Sequence, residues 1–263
     1  MGIRQGAQPL GVAVAALSLP SLADHGRTVP LTFLGVFCLA AASLVAIAVR
    51  DPPPPTARAG GRRGSPYREP ILWRIHAASA LLVVPQFTVA TFALVYLIDA
   101  RGWHADQAGR VLAATAVCGA AARLGAGYWS DRADSRLGPM GILAVATGLI
   151  VAGVAAGAAT RSPLVVAALL VAAVAVVSTN GLAFTAVAEH AGSSWVGRAL
   201  GIQNTGQNAF AAATPPVVAA AIGSAGYSAV FAAVAFLPFA AAALVPVAAE
   251  RRAKRPGSTP AVD

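Results

Sequence analysis

Residues 125–138 read GAGYWSDRADSRLG, and the chain is predominantly apolar for about twenty residues on either side of them. Four charged residues, Asp131, Arg132, Asp134 and Arg136, interrupt those runs. A glycine at a helix end, here Gly127, permits close backbone approach. An aspartate just beyond it can sit at the N-terminus of another helix, where unpaired N–H groups and the helix dipole favour an anion. The neighbouring arginines keep such a turn on the cytoplasmic side of a membrane. A plain charged loop that only sets topology is the alternative reading.

The rest of the chain has the same alternation of long apolar runs and short polar turns. Of its 263 residues 57% are apolar and 11% charged, and the mean hydropathy is +0.68. This is too apolar for an ordinary water-soluble domain. Runs long enough to cross a hydrocarbon core as helices cover roughly 7–23, 29–49, 76–98, 107–128, 138–159, 163–187, 196–222 and 227–248. Alanine and valine fill them without the polar–apolar alternation of a barrel, so helices must satisfy the backbone. The predicted fold class is all-α: a polytopic membrane bundle of about eight transmembrane helices.

A net charge of +9 raises nucleic acid as a partner, but the basic residues lie between spans and at the C-terminus, not on an aromatic-bearing groove. They report topology. With residues 51–70 inside, fifteen of the nineteen Lys and Arg residues fall at cytoplasmic ends and four, Arg27, Arg101, Arg110 and Arg161, at outer ends. Both termini are then cytoplasmic, and the chain is expected to be a multi-pass protein of the plasma (inner) membrane. Cys38 and Cys118 lie within spans without partner spacing and read as small packing residues. No HExxH, CxxC or paired-carboxylate pattern offers a metal, cofactor or hydrolytic site, so no enzyme activity is expected.

Residues 51–70, DPPPPTARAGGRRGSPYREP, read as a flexible cytoplasmic linker. They separate residues 1–50, with two spans, from the six-span unit 71–249. The stretch 250–263 is a basic tail of disordered composition. At the N-terminus Arg4, the apolar stretch Leu10–Leu19 and small residues Ser21 and Ala23 loosely imitate a signal peptide, although Gln8 and Pro9 interrupt it.

The loop residues Gly127, Asp131, Arg132 and Arg136 match the G-x-x-x-D-(R/K)-x-G-(R/K)-(R/K) signature of the major facilitator superfamily, which the chain resembles from end to end. Asp134 stands at the usual glycine and Ser135 at a usual basic position. The second copy of this loop in the family, between helices 8 and 9, is commonly the degenerate one. The resemblance implies two six-helix halves related by a repeat. An internal echo fits it: Gly2, Ile3 and Gln8 align with Gly201, Ile202 and Gln207, and Gln5 aligns with Asn204. These stretches open the first and seventh spans, six apart. The loop and the echo agree on one register, in which the chain resembles helices 5–12 of a twelve-helix permease, partial N-half plus complete C-half. It is then expected to be N-terminally truncated and inactive alone.

An amide side chain in a bilayer is costly unless it faces the bundle interior or a watery cavity. The mid-span amides Gln8, Gln86, Asn180, Gln203, Asn204, Gln207 and Asn208 are therefore the substrate-binding candidates, with interhelical glue as the alternative. By resemblance they lie on helices 5, 7, 10 and 11, around the central cavity of the superfamily. Ser178 and Thr179 join them on the same terms. Pro85 is a candidate gate kink, and Pro215 and Pro216 are expected to bend their helix. Asp131, Arg132 and Arg136 form the candidate conformational-gate loop. The expected partners are the lipid bilayer and a small solute. A proton is the candidate coupling ion, although all ten acidic residues lie in loops, tails or span ends. The expected function is alternating-access transport. The alternatives are an integral membrane enzyme and a non-transporting remnant that needs a partner.

Overall fold

The computed structural model describes residues 25–50 and 64–253, together with 11, 14, 15, 18 and 22. Most of the first predicted span, most of the linker and most of the basic tail therefore lie outside the described residues; residues 250–253 of the tail are described and helical. Among the described residues every regular element is helical. Six helical stretches are long and apolar enough to cross a membrane.

The first, α1 (Thr28–Ala48), has 21 residues, about 30 Å at 1.5 Å per residue and so one hydrocarbon thickness. None of its residues is buried. A short 3₁₀ turn (Pro66–Arg68) leads into α2 (Pro70–Val95), which begins on a proline in the position where the missing N–H costs nothing. A wide turn (Tyr96–Ala100) closes α2. Then come α3 (Ala105–Arg132) and α4 (Leu137–Ala159). The span predicted at 163–187 is two helices, α5 (Leu164–Ala175) and α6 (Asn180–Ala191), separated by a turn at residues 176–179.

The last stretch, Val196–Arg252, has 57 residues, about 85 Å as a straight helix and far more than one bilayer crossing. It is not straight. α7 (Val196–Leu244) breaks at Gly226, whose φ of 79° and ψ of 168° no L-residue adopts readily. Contacts with α2 show that the two arms fold back on each other. His76 near the start of α2 meets Gln203 in the first arm, Arg74 donates to the Leu244 carbonyl (2.9 Å) at the end of the second, and Tyr96 at the far end packs on Tyr227 and Phe231 just past the break. The arms correspond to the predicted spans 196–222 and 227–248. A short α8 (Val247–Ala253) follows.

Lipid tails are as apolar as leucine, so the bundle is held by close packing and interhelical hydrogen bonds. The first arm of α7 buries Ala199, Gln203, Gln207, Ala211, Thr214 and Val218, three or four residues apart and so on one helical face. At Gly148 on α4 the Phe239 ring lies where a side chain would begin, since a Cβ would meet Cζ at 2.8 Å. Large apolar side chains such as Leu124, Ile142, Leu149, Val217 and Phe236 are exposed, as suits a surface solvated by lipid. Cys38 and Cys118 are free thiols on exposed helix faces, not in the packing positions read from sequence.

Candidate functional site

Two apolar clusters fill the bundle, one toward each end. One gathers Leu72, Ile75, Leu137, Met140, Leu182 and Val245; the other gathers Val89, Val151, Val154, Leu169, Val218 and Phe231. Along each helix most of the buried polar residues fall between these two sets, Ser79, Ser130 and Glu250 excepted. On α2 Gln86 separates Leu82 from Val89, on α4 Thr147 separates Ala144 from Val151, and Ser178 and Thr179 occupy the turn between α5 and α6, with Asn180 opening α6. The first arm of α7 contributes Gln203, Gln207 and Thr214, and α3 contributes Thr115 and Arg123. A polar stratum thus crosses the middle of the bundle.

Within it the amides pair across helices. Asn180 Nδ2 donates to Gln86 Oε1 at 2.8 Å. Gln203 Nε2 donates to Ser79 Oγ at 2.6 Å, and Gln207 Nε2 donates to the same oxygen. The turn between α5 and α6 presents the carbonyl of Val177, and Arg123 Nε donates to it at 2.7 Å. The buried Thr147 hydroxyl has no hydrogen-bond partner among the described residues.

The seven candidate amides therefore separate into groups. Gln86, Asn180, Gln203 and Gln207 are buried and bonded between helices. Asn204 and Asn208 lie on an exposed face of α7 that flanks the buried one, where Asn208 Nδ2 donates to the Asn204 carbonyl at 2.9 Å. Gln207 turns away from that exposed pair. Gln8 lies outside the described residues. Pro85 is buried within α2 beside Gln86, and Pro215 and Pro216 fall inside the first arm of α7.

Residues the sequence did not single out extend this seam to the end of α2. His76 Nδ1 lies 2.5 Å from Gln203 Oε1, and its Nε2 lies 2.9 Å from the Tyr67 hydroxyl. Tyr67 packs against the rings of Trp73 and Trp195, and the Arg198 guanidinium lies 5.0 Å from the centre of the Trp195 ring. Such an aromatic collar belongs at a membrane–water interface. Burial pushes the Tyr67 pKa up, so its hydroxyl keeps its proton through the neutral range. The signal for this seam is present in the sequence, since His76 and Ser79 share one face of α2 and Gln203 and Gln207 one face of α7.

The loop after α3 forms a second polar cluster. Arg136 donates to Asp131 and, through Nε at 3.1 Å, to Glu189 on α6. Burial alone would lower the pKa of Arg136, but its bonds to the two carboxylates outweigh this and raise it. The carboxylate at a helix N-terminus belongs to Glu250, which accepts from the main-chain N–H groups of Arg136 (2.7 Å) and Leu137 (3.2 Å) and from Ser135 Oγ (2.6 Å). Asp131 remains 65% exposed. Arg132 lies over the Tyr128 ring, 4.7 Å from its centre. A Cβ at Gly127 would meet nothing within 4 Å, so no described residue makes the close approach expected there. Asp134 has a φ of 42°, the conformation for which a glycine at this position is suited.

A groove of about 560 Å³ between α4 and the second arm of α7, lined by Ala152, Ala155, Ala156, Ala232 and Phe236, lies apart from both polar clusters. Its walls offer little for a polar solute to bond. Among the described residues no group of three or more His, Cys, Asp or Glu side chains gathers to hold a metal ion.

Comparison with known proteins places these features in a family. The model described as Major Facilitator Superfamily matches residues 1–215 and, in a second overlapping match, residues 77–263. Two curated proteins, from two strains of Mycobacterium tuberculosis and each described as an uncharacterized MFS-type transporter, are 43% identical over 250 residues. The alignment covers 94% of this chain and 56% of each relative, so the chain spans about half the length of the proteins it matches.

Proposed function

Because the chain belongs to the Major Facilitator Superfamily, we propose that it serves in secondary transport of a small solute across the plasma membrane by alternating access. The observation that carries this reading is the exposed pair Asn204 and Asn208, eight and twelve residues into α7, about 12 and 18 Å along it. An exposed amide at that depth is unfavourable against lipid, so the face that bears it is suited to water, solute or further protein. The exposed large apolar side chains elsewhere are mostly valine, leucine, isoleucine and phenylalanine. We assign the solute-contacting role to Asn204 and Asn208. Gln86, Asn180, Gln203 and Gln207 shape the wall behind them, and their interhelical bonds favour that supporting role.

In this proposal residues 1–50 belong to one half of the transporter and 71–249 form the other, with 51–70 as linker and 250–263 as tail. Both termini are cytoplasmic, by the bias of basic residues. Asp131, Arg132 and Arg136, with Glu189 and Glu250, stabilise one conformer at the cytoplasmic gate, and the Arg136 pairs are the contacts to be broken as it opens.

The test is the water accessibility of position 204. Asn204→Cys, in a background with Cys38→Ser and Cys118→Ser, is expected to react in membranes with a charged, membrane-impermeant maleimide. Reaction only with lipid-soluble reagents would place that face in the hydrocarbon and overturn the assignment.

A further inference from the structure

We propose that His76 is a proton-binding site, an imidazole held between the Tyr67 hydroxyl and the Gln203 carbonyl that gains and loses its proton with both contacts kept. Gln203 gives its N–H to Ser79, so its carbonyl oxygen faces His76 Nδ1 and requires a donor there. Nδ1 therefore carries a proton in the neutral ring, and Nε2 is the basic nitrogen. Nε2 faces Tyr67, whose hydroxyl can either donate or accept. In the neutral ring the Tyr67 O–H donates to Nε2. When Nε2 is protonated its N–H donates to the Tyr67 oxygen, and the hydroxyl proton turns away. His76 is half-buried, and neither state leaves a ring nitrogen unpaired, so the penalty for charging the ring is reduced.

Position supplies the path. His76 is six residues into α2, about 9 Å from its start, just beneath the collar of Tyr67, Trp73 and Trp195. Tyr67 is half-buried; its hydroxyl can pass its proton to Nε2 while its oxygen takes one from water. On the inner side the chain continues through Gln203, Ser79 and Gln207, and Gln203 and Gln207 are each next in sequence to an exposed asparagine of α7. A proton taken up at the interface thus acts on the helix that bears the proposed solute face.

Most of the charged and titratable groups on the surrounding elements are engaged elsewhere. Arg74 on α2 bonds the Ala243 and Leu244 carbonyls, Glu189 on α6 bonds Arg136, and His190 Nδ1 lies against the Ala186 carbonyl. Arg198 on α7 lies over Trp195, and Arg123 on α3 bonds Val177. Arg68 on the 3₁₀ turn and Glu69 at the start of α2 complete the set, and Tyr67 alone of these groups is hydrogen-bonded to the ring among the described residues.

The use of this proton in coupling rests on the transport reading, but its binding does not. The experiment is an NMR titration of histidine-labelled full chain in lipid nanodiscs, with the His76 signal identified by its loss in His76→Gln. The expected result is a reversible titration between pH 5 and 8, the range open to histidine. In Gln203→Glu the midpoint should rise by about one unit or more, because a carboxylate replaces the carbonyl against Nδ1. A His76 signal that stays flat from pH 5 to 8 overturns the site, as does a midpoint unmoved in a folded Gln203→Glu. If that variant fails to fold, the wild-type titration decides. A flat signal leaves the transport reading standing. A titrating His76 in a chain whose residue 204 never meets water would overturn the solute-contacting assignment and keep the proton site.

Discussion

The carboxylate of Glu250 lies 2.7 Å from the main-chain nitrogen of Arg136, 114 residues earlier in the chain. With Leu137 N and Ser135 Oγ as further donors, it caps the N-terminus of α4, where unpaired N–H groups and the dipole favour a negative charge. Hydrogen bonds to a charged group contribute about 1.5–3 kcal/mol. Glu250→Ala should therefore lower stability by about 2 kcal/mol, with Glu250→Gln intermediate, in equilibrium unfolding from mixed micelles. Indistinguishable curves for wild type and Glu250→Ala would remove the cap from the account.

The Asn180–Gln86 bond makes a smaller claim. Interhelical hydrogen bonds in membranes average about 0.6 kcal/mol in double-mutant cycles and reach about 1.7. A cycle with Gln86→Leu and Asn180→Leu should return a coupling within that range. A coupling of zero would mean that the two helices are held at this level by packing alone.

Much of the fold was legible because membrane spans are local signals: length and apolarity suffice, and seven of the predicted spans correspond to described helices. The break between α5 and α6 was less so, because the surrounding valines and alanines continue the apolar run. Its sign was chemical, since Ser178, Thr179 and Asn180 compete for backbone hydrogen bonds and favour turns over helix interiors. The amides were legible as polar groups in a costly place, yet composition does not say which way each faces. Gln207 and Asn208 are adjacent, but one is buried against Ser79 and the other exposed. The shared faces of His76 with Ser79 and of Gln203 with Gln207 mark polar stripes but not that the two stripes meet, and the pairing of Arg136 with Glu250 had no local trace at all.

Close packing at Gly148 gives a steric test. A Cβ there would lie 2.8 Å from Phe239 Cζ, so the ring must move or the helices part. Overpacking of this kind costs about 1–3 kcal/mol. Gly148→Ala should lose stability in that range, and Phe239→Leu should recover part of it in the double variant. A neutral Gly148→Ala would show that the ring yields freely.

For Arg136 the sign of the pH effect follows from the direction of its shift. Its pKa is raised in the folded chain, so the stability it contributes is fully present below the ordinary arginine pKa and is lost only as pH climbs through the higher folded value. That window lies in strong alkali. The difference in melting temperature between wild type and Arg136→Gln should therefore stay constant from pH 6 to 9. It should narrow in high salt, because Asp131 and Glu189 are 65% and 48% exposed and their attraction is screened. A difference that changed steeply between pH 6 and 9 would mean that another titrating group controls this cluster.

Asp134 offers a way to separate backbone strain from charge in the same turn. At a φ of 42° it occupies the left-handed region, which costs an ordinary L-residue about 1–2 kcal/mol and glycine almost nothing, with aspartate among the better tolerated exceptions. Asp134→Gly and Asp134→Ala both delete the carboxylate and whatever it contacts, so the difference between them reports the backbone. Asp134→Gly should be the more stable of the two by about 1 kcal/mol, as expected for a position requiring positive φ. The prediction is checked by parallel unfolding of the two variants under one set of conditions. Equal stabilities would mean that the turn relaxes out of the left-handed region once the aspartate is gone, and the preference for glycine here would need a different cause.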